Sequence, residues 1–215
     1  MARPPTDRPR LVVATRSAHK LRELSELLRL EWAVVLSLDD LGVPGEPAED
    51  GATFEANARI KARFAAEATG LPSLADDSGI EVDALGGGPG VLTRRFAGPD
   101  ATDASNNAKL LAALDGLPVG RRGARYVCVL ALALPEARGP RGGIRTILRR
   151  GTCRGRIATS ARGDGGFGYD PIFEPAAEPP GGRTLGLYSP AEKHAISHRA
   201  RAARRMVPVL RDLGY

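Results

Sequence analysis

The 215-residue chain is short of several residue types, and each shortage excludes something. Its two cysteines, Cys128 and Cys153, fall in strand-like stretches without metal-ligand spacing. A disulfide framework or cysteine zinc site is therefore not expected, and reduced thiols in a cytoplasmic protein are. Aromatic residues make up only 5% of the chain. A compact basic stripe interleaved with aromatics, the footprint of a nucleic-acid surface, is missing. The longest apolar run, Val127 to Leu134, falls far below the roughly 20 residues of a membrane span. The opening MARPPTDRPR is polar and broken by prolines, and does not read as a signal peptide. Lysine is also scarce: of 31 basic residues only Lys20, Lys61, Lys109 and Lys193 are lysine.

What is present is the composition of an ordinary globular protein, 42% hydrophobic and 26% charged, with enough chain for a sizeable core. The net charge of +6 suggests an anionic partner. Most of the basic residues are scattered Arg, which is the pattern of a solvated surface. The densest run, RARAARR over 199–205, reads as the outer face of a helix.

RLVVAT (10–15) reads as a buried strand, followed by a helix with Leu21, Leu24 and Leu28 on one face. WAVVLSL (32–38) is a second strand, then a Pro/Gly/acidic loop leads to a helix capped by Thr53 and stopped by Gly70. Short strands are expected around Asp76 and Asp77, with both carboxylates where a strand ends. A third helix spans DATDASNNAKLLAALDGL. Between Ala124 and Thr159 three strand-like runs suggest a meander. A glycine-rich loop, ARGDGGFGYDPIF, precedes the last helix, which opens with Ser189 as N-cap, Pro190 and Glu192 closing a capping box. Pro208 should end or kink it. The mixture of strands and helices gives an α/β class with a mixed sheet. Residues 1–9 read as a tail, and 10–215 as one domain.

Four stretches carry candidate chemistry. The turn ATRSAHK runs from strand to helix N-terminus, where free N–H groups, Thr15, Ser17 and Lys20 suit a phosphate; an ordinary N-capped surface helix fits equally. Asp76 and Asp77 repel each other and need a positive charge nearby. Glu49 and Asp50 lie in a loop able to reach them. Mg²⁺ takes one or two such carboxylates with phosphates and water, and a further carboxylate can deprotonate a water. Phe167 and Tyr169, flanked by glycines, offer either a stacking platform for a nucleobase or core side chains, with Asp170 as an acceptor beside them. EKHAISHRARA places Lys193, His194, Ser197, His198 and Arg199 on one helix. His194 and His198 are spaced for zinc, but no third ligand is evident, so a non-metal role is preferred.

The order of these motifs, with FEANARIKA, LADDSGIEVDALGGGPGV and GGFGYDPIF, resembles the non-canonical purine nucleoside triphosphate pyrophosphatases, the inosine triphosphatase family, from about Arg10 to Arg205. The resemblance implies Mg²⁺-dependent hydrolysis of ITP, dITP and XTP to the monophosphate and pyrophosphate. It also implies an elongated α/β fold with two lobes around a central nucleotide cleft, and a homodimer. On the residues of this chain, the phosphate turn falls on Thr15 to Lys20, including Arg16 and Ser17 where the family usually has Gly-Asn. The helical phosphate lysine is Lys61, and the metal-site glutamate is Glu49. Asp77 is metal ligand and general base, and Ser78 an adjacent substrate contact. The base-binding loop is Phe167, Gly168, Tyr169 and Asp170, completed by Lys193, His198 and Arg199. A donor such as Arg199 would favour the C6 keto oxygen of hypoxanthine and xanthine over adenine's amino group. The rivals are a related house-cleaning enzyme for modified pyrimidine nucleotides and a basic nucleotide- or RNA-binding protein without turnover. The clustered carboxylates disfavour the second.

Overall fold

The computed structural model describes residues 8–30, 33–136 and 143–215. Strands β1 (Arg10–Val13), β2 (Val34–Ser37), β3 (Ser73–Val82), β4 (Gly123–Pro135), β5 (Ile144–Ile157) and β6 (Phe173–Pro175) form one sheet in the order β2-β1-β3-β4-β5-β6. It is flanked by helices α1 (Ala18–Leu28), α2 (Phe54–Thr69), α3 (Asp103–Ala113), α4 (Pro190–Ile196) and α5 (His198–Asp212). The sheet is mixed: β1 pairs parallel with β2 and β3, while β5 and β6 are antiparallel. The α/β class expected from the sequence is the observed one. The tail read over residues 1–9 lies outside the described residues up to residue 7, as does Trp32 of the second strand.

Two compact units share the chain. The first comprises Met1–Asp77, Val129–Gly151 and Arg201–Tyr215. Its centre is β1, where Leu11, Val12 and Val13 are buried. Ser17 caps α1 and Thr53 caps α2, each accepting from a backbone N–H of the first turn. Gly70 ends α2 in the left-handed region. The inner stripe of α2 is Ala58, Ala62, Ala65 and Ala66, small residues that let the helix lie close to its neighbours. The steps from β1 to β2 and from β2 to β3 run in opposite directions across the sheet, so right-handed crossovers put α1 and α2 on opposite faces.

The second unit comprises Ser78–Cys128 and Thr152–Ala200. Its core gathers Ile80, Val82, Leu110, Leu114, Tyr126, Ile157, Tyr169, Ile172, Phe173 and Leu185. Arg122 is buried yet satisfied, because its guanidinium donates to the carbonyls of Leu114, Ile157 and Ala158. Both cysteines are buried and neither is in a disulfide.

Four local expectations are corrected. β3 is one unbroken strand through Asp76 and Asp77, which lie mid-strand rather than at a strand end. Of the three runs after Ala124, the last two fuse into β5, which passes through Gly151 and Gly155. Gly155 pairs with Pro175 of β6, and a Cβ there would overlap the Glu174 carbonyl and the Phe173 ring, so the glycine serves close pairing and not a turn. The C-terminal motif is two helices: Ser197 is extended at φ −63° and ψ 154°, and its hydroxyl accepts from the Ala200 N–H. Lys193 and Ser197, and likewise His194 and His198, therefore do not share one helix face. Finally, α5 continues through Pro208 to Asp212, so Pro208 does not end the helix.

Candidate active site

Successive residues of a strand point to opposite faces, so Asp76 and Asp77 project to opposite sides of β3, which relieves their mutual repulsion. Each finds its own lysine. Lys20, in the first turn of α1, stands 3.1 Å from Asp76. Lys61, on α2, donates to Asp77 at 2.7 Å and lies 3.0 Å from Glu49 of the acidic loop. Asp76 and Asp77 are both buried, and Glu49 is partly exposed. Burial alone would push the Lys61 ammonium down, but the carboxylates of Asp76, Asp77 and Glu49 outweigh it and raise its pKa. Asp77 is held above the ordinary carboxylate range, chiefly by burial and further by the nearby Glu49, against the pull of Lys61. A buried carboxylate with a raised pKa beside a cation can accept a proton from water.

A second cluster lies on the 163–199 side of the chain. Phe167 is half-buried, with Lys193 Nζ 4.4 Å and the Arg199 guanidinium 5.7 Å from its ring centroid. Asp170 is 2% exposed and collects three donors: Lys193 Nζ at 2.6 Å, the Phe167 N–H at 2.9 Å and the Tyr126 hydroxyl at 3.4 Å. His198 is buried and stacks on Tyr126, ring centroids 4.6 Å apart and planes within 6°. Arg199 is buried as well and donates to the Ser78 hydroxyl at 3.0 Å. Asp77 and Ser78, consecutive on β3, thus belong one to each cluster.

The Ham1 family model matches residues 11–209. This chain belongs to the Ham1 family. It is similar to the dITP/XTP pyrophosphatase of Syntrophobacter fumaroxidans, 51% identical over 192 residues that cover 89% of this chain and 78% of that one. The dITP/XTP pyrophosphatase of Nocardia farcinica is 47% identical over 207 residues, covering 95% and 96%. In three dimensions the chain matches a HAM1 protein from Coxiella burnetii with a TM-score of 0.82 at 40% identity, covering 95% of this chain and 99% of that chain.

Within this Ham1 fold, Lys20, Glu49, Lys61 and Asp77 come together, as do Ser78, Phe167, Asp170, Lys193, His198 and Arg199. Thr15 accepts from the Ser17 N–H at 3.2 Å, which shapes the turn, while Asp50 is exposed. Arg16 turns away to the 39–46 loop. Two expectations for the base loop change. Tyr169 is not an open platform: it is 1% exposed, its hydroxyl donates to the Thr93 carbonyl at 2.8 Å, and burial pushes its pKa far up. Asp170 is not a free acceptor either; its carboxylate holds Lys193 and the turn at Phe167. Gly168 adopts φ +62°, its N–H donates to Asp103 at 2.6 Å and its carbonyl accepts from Asn107 at 3.1 Å. Asp103, Asn107 and Tyr126 were missed by the sequence reading. The one available signal was the i,i+4 spacing of Asp103 and Asn107 on α3.

The donor set suits a hard divalent cation. Glu49 and Asp77 reach the same ammonium, so their oxygens converge from two segments, as Mg²⁺ prefers when phosphates and water complete its shell. Among the described residues no group of three or more His, Cys, Asp or Glu could hold a metal by itself. Among the described residues no helix is long and apolar enough to cross a membrane.

Proposed function

We propose that this chain is a Mg²⁺-dependent nucleoside triphosphate pyrophosphatase that converts ITP, dITP and XTP to the monophosphate and pyrophosphate. The observation that carries this reading is the cluster in which Asp77 and Glu49 converge on the Lys61 ammonium, the arrangement a metal-assisted phosphate chemistry needs. The dITP/XTP pyrophosphatases to which the chain is similar support the substrate class.

Lys20, Lys61 and the N–H groups at the start of α1 receive the triphosphate. Mg²⁺, held by Glu49 and Asp77, would offset phosphate charge and polarise the phosphoryl oxygens. Asp77 orients a water on the α-phosphorus and takes its proton. The new P–O bond forms as the bond to the α–β bridging oxygen breaks, and pyrophosphate leaves with that electron pair. Phe167 supports the base, and Lys193 and Arg199 supply donors to the C6 keto oxygen. Adenine would present an amino group to those donors, a mismatch worth about 10⁴-fold or more in a polar site. We read the protein as a cytoplasmic homodimer acting on free nucleotides, since carboxylates beside the phosphate lysines would repel a nucleic-acid backbone.

The test is pyrophosphate release from ITP, XTP, GTP, ATP and dTTP, with Mg²⁺ and with EDTA. Mg²⁺-dependent cleavage confined to ITP and XTP is expected. Preference for a pyrimidine nucleotide, or salt-sensitive oligonucleotide binding without release, would overturn the reading.

A further inference from the structure

The guanidinium of Arg16 is spent on one loop. It pairs with the Asp39 carboxylate, lies 3.5 Å from Glu46, and donates to the carbonyls of Val43 at 2.9 Å and Gly45 at 2.8 Å. The segment it grips is rich in Gly and Pro, with Gly42 and Gly45 in the left-handed region, and such a segment has little rigidity of its own. Its own backbone bonds lie at its start, where Gly42 bonds Asp39 and Val43 bonds Leu38. Its far end is tied where the Gly51 N–H donates to Asn57 at 2.9 Å. Glu49 hangs between these anchors, three residues beyond Glu46 and two before Gly51.

We propose that Arg16 is a positioning residue that latches the acidic loop to the phosphate turn and so aims Glu49 at the metal position; this rests on the function proposed above. Only a forked donor can hold two carbonyls and two carboxylates at once, which a lysine's point charge cannot. Aiming Arg16 at a triphosphate would require giving up all four contacts, so Thr15, Ser17 and Lys20 serve the phosphates and Arg16 serves the loop. Removing the latch frees one end of the segment carrying Glu49. The effect resembles loss of an outer-shell partner, which weakens metal binding about tenfold or more.

The experiment compares wild type with Arg16→Ala and Arg16→Lys by two readouts. The first is amide hydrogen exchange in the metal-free protein. Exchange over residues 41–49 is expected to rise about fivefold, the factor for one lost net hydrogen bond. The second is ITP turnover against Mg²⁺. The half-saturating Mg²⁺ should rise about tenfold in both variants, while the KM for ITP at saturating Mg²⁺ stays nearly constant. Unchanged exchange with a raised KM at saturating Mg²⁺ would make Arg16 a direct triphosphate contact and overturn the latch. No change in either readout, or full rescue by Arg16→Lys, would overturn it too. If Arg16→Ala does not fold, Asp39→Asn combined with Glu46→Gln removes both carboxylate partners of the latch, leaves the Val43 and Gly45 carbonyls, and is expected to shift both readouts in the same direction by less. Failure of wild type to hydrolyse ITP would defeat the proposed function, while the exchange measurement would still decide the latch.

Discussion

Replacing Asp170 by Asn removes one charge and almost no volume from a residue that is 2% exposed. What it strands is Lys193, whose side chain is 10% exposed and whose ammonium lies 2.6 Å from the carboxylate. Lys193 and the Phe167 N–H share one carboxylate oxygen, so the amide oxygen can keep both with its NH₂ toward the Tyr126 hydroxyl, and what is lost is the charge that compensates the ammonium. Breaking a buried pair by removing one partner costs about 3–5 kcal/mol, because the remaining charge is left uncompensated. That is a large share of the roughly 5–15 kcal/mol by which a domain is stable. With a urea slope near 2 kcal/mol/M the midpoint should fall by about 1.5–2.5 M, read by far-UV circular dichroism. The companion variant Asp170→Asn/Lys193→Met removes the stranded charge and keeps the side-chain volume, and should regain about half of the loss. A midpoint shift under about 0.5 M for the single variant, or strictly additive effects in the double variant, would refute the view that this pair is a coupled buried unit.

Asp77→Asn should melt near the wild-type temperature but lose about 10²–10⁴-fold in Mg²⁺-dependent pyrophosphate release, the range for a general base; near-normal release would remove Asp77 from the mechanism. Glu192 has its pKa lowered to about 2, first by Arg183 and then by the Ser189 cap. A depressed carboxylate stabilises the fold above its unfolded value of 4.5, and that contribution is lost as pH falls toward 2. Glu192→Gln should therefore flatten the acid dependence of α4 amide exchange across that window, and an unchanged profile would count against the Arg183 pair and the Ser189 cap as its source. Gly155→Ala should destabilise by about 1–3 kcal/mol, since its methyl meets the Glu174 carbonyl and the Phe173 ring; an unshifted melting temperature would show that β6 can move away at little cost.

Much of the architecture was legible because its causes are local. Ser17, Thr53 and Ser189 cap helices within three residues of the groups they bond, Gly70 stops α2 through its own φ, and β1 is a β-branched run buried on both faces. The Ser197 break was also written locally, as a hydroxyl three residues before Ala200, but the charged helical spacing around it masked the cap. The turn, the acidic pair and the C-terminal cations were each legible as short motifs, because their residues lie within a few positions of one another.

The partnerships between those residues were another matter. The paired aspartates looked like a strand end because two adjacent charges cannot stay buried alone. Only the packing of α1 and α2 on opposite faces brings Lys20 and Lys61 to them, from 56 and 16 residues away. Tyr169 and Asp170 looked open among glycines, yet Thr93, Tyr126 and Lys193 close over them from distant segments. Sequence by itself determined which elements form and which residue types the site has to work with, because propensity, capping and periodicity act within a few residues. The tertiary structure alone decided which carboxylate meets which cation, because burial and charge compensation are settled between segments that only folding brings together.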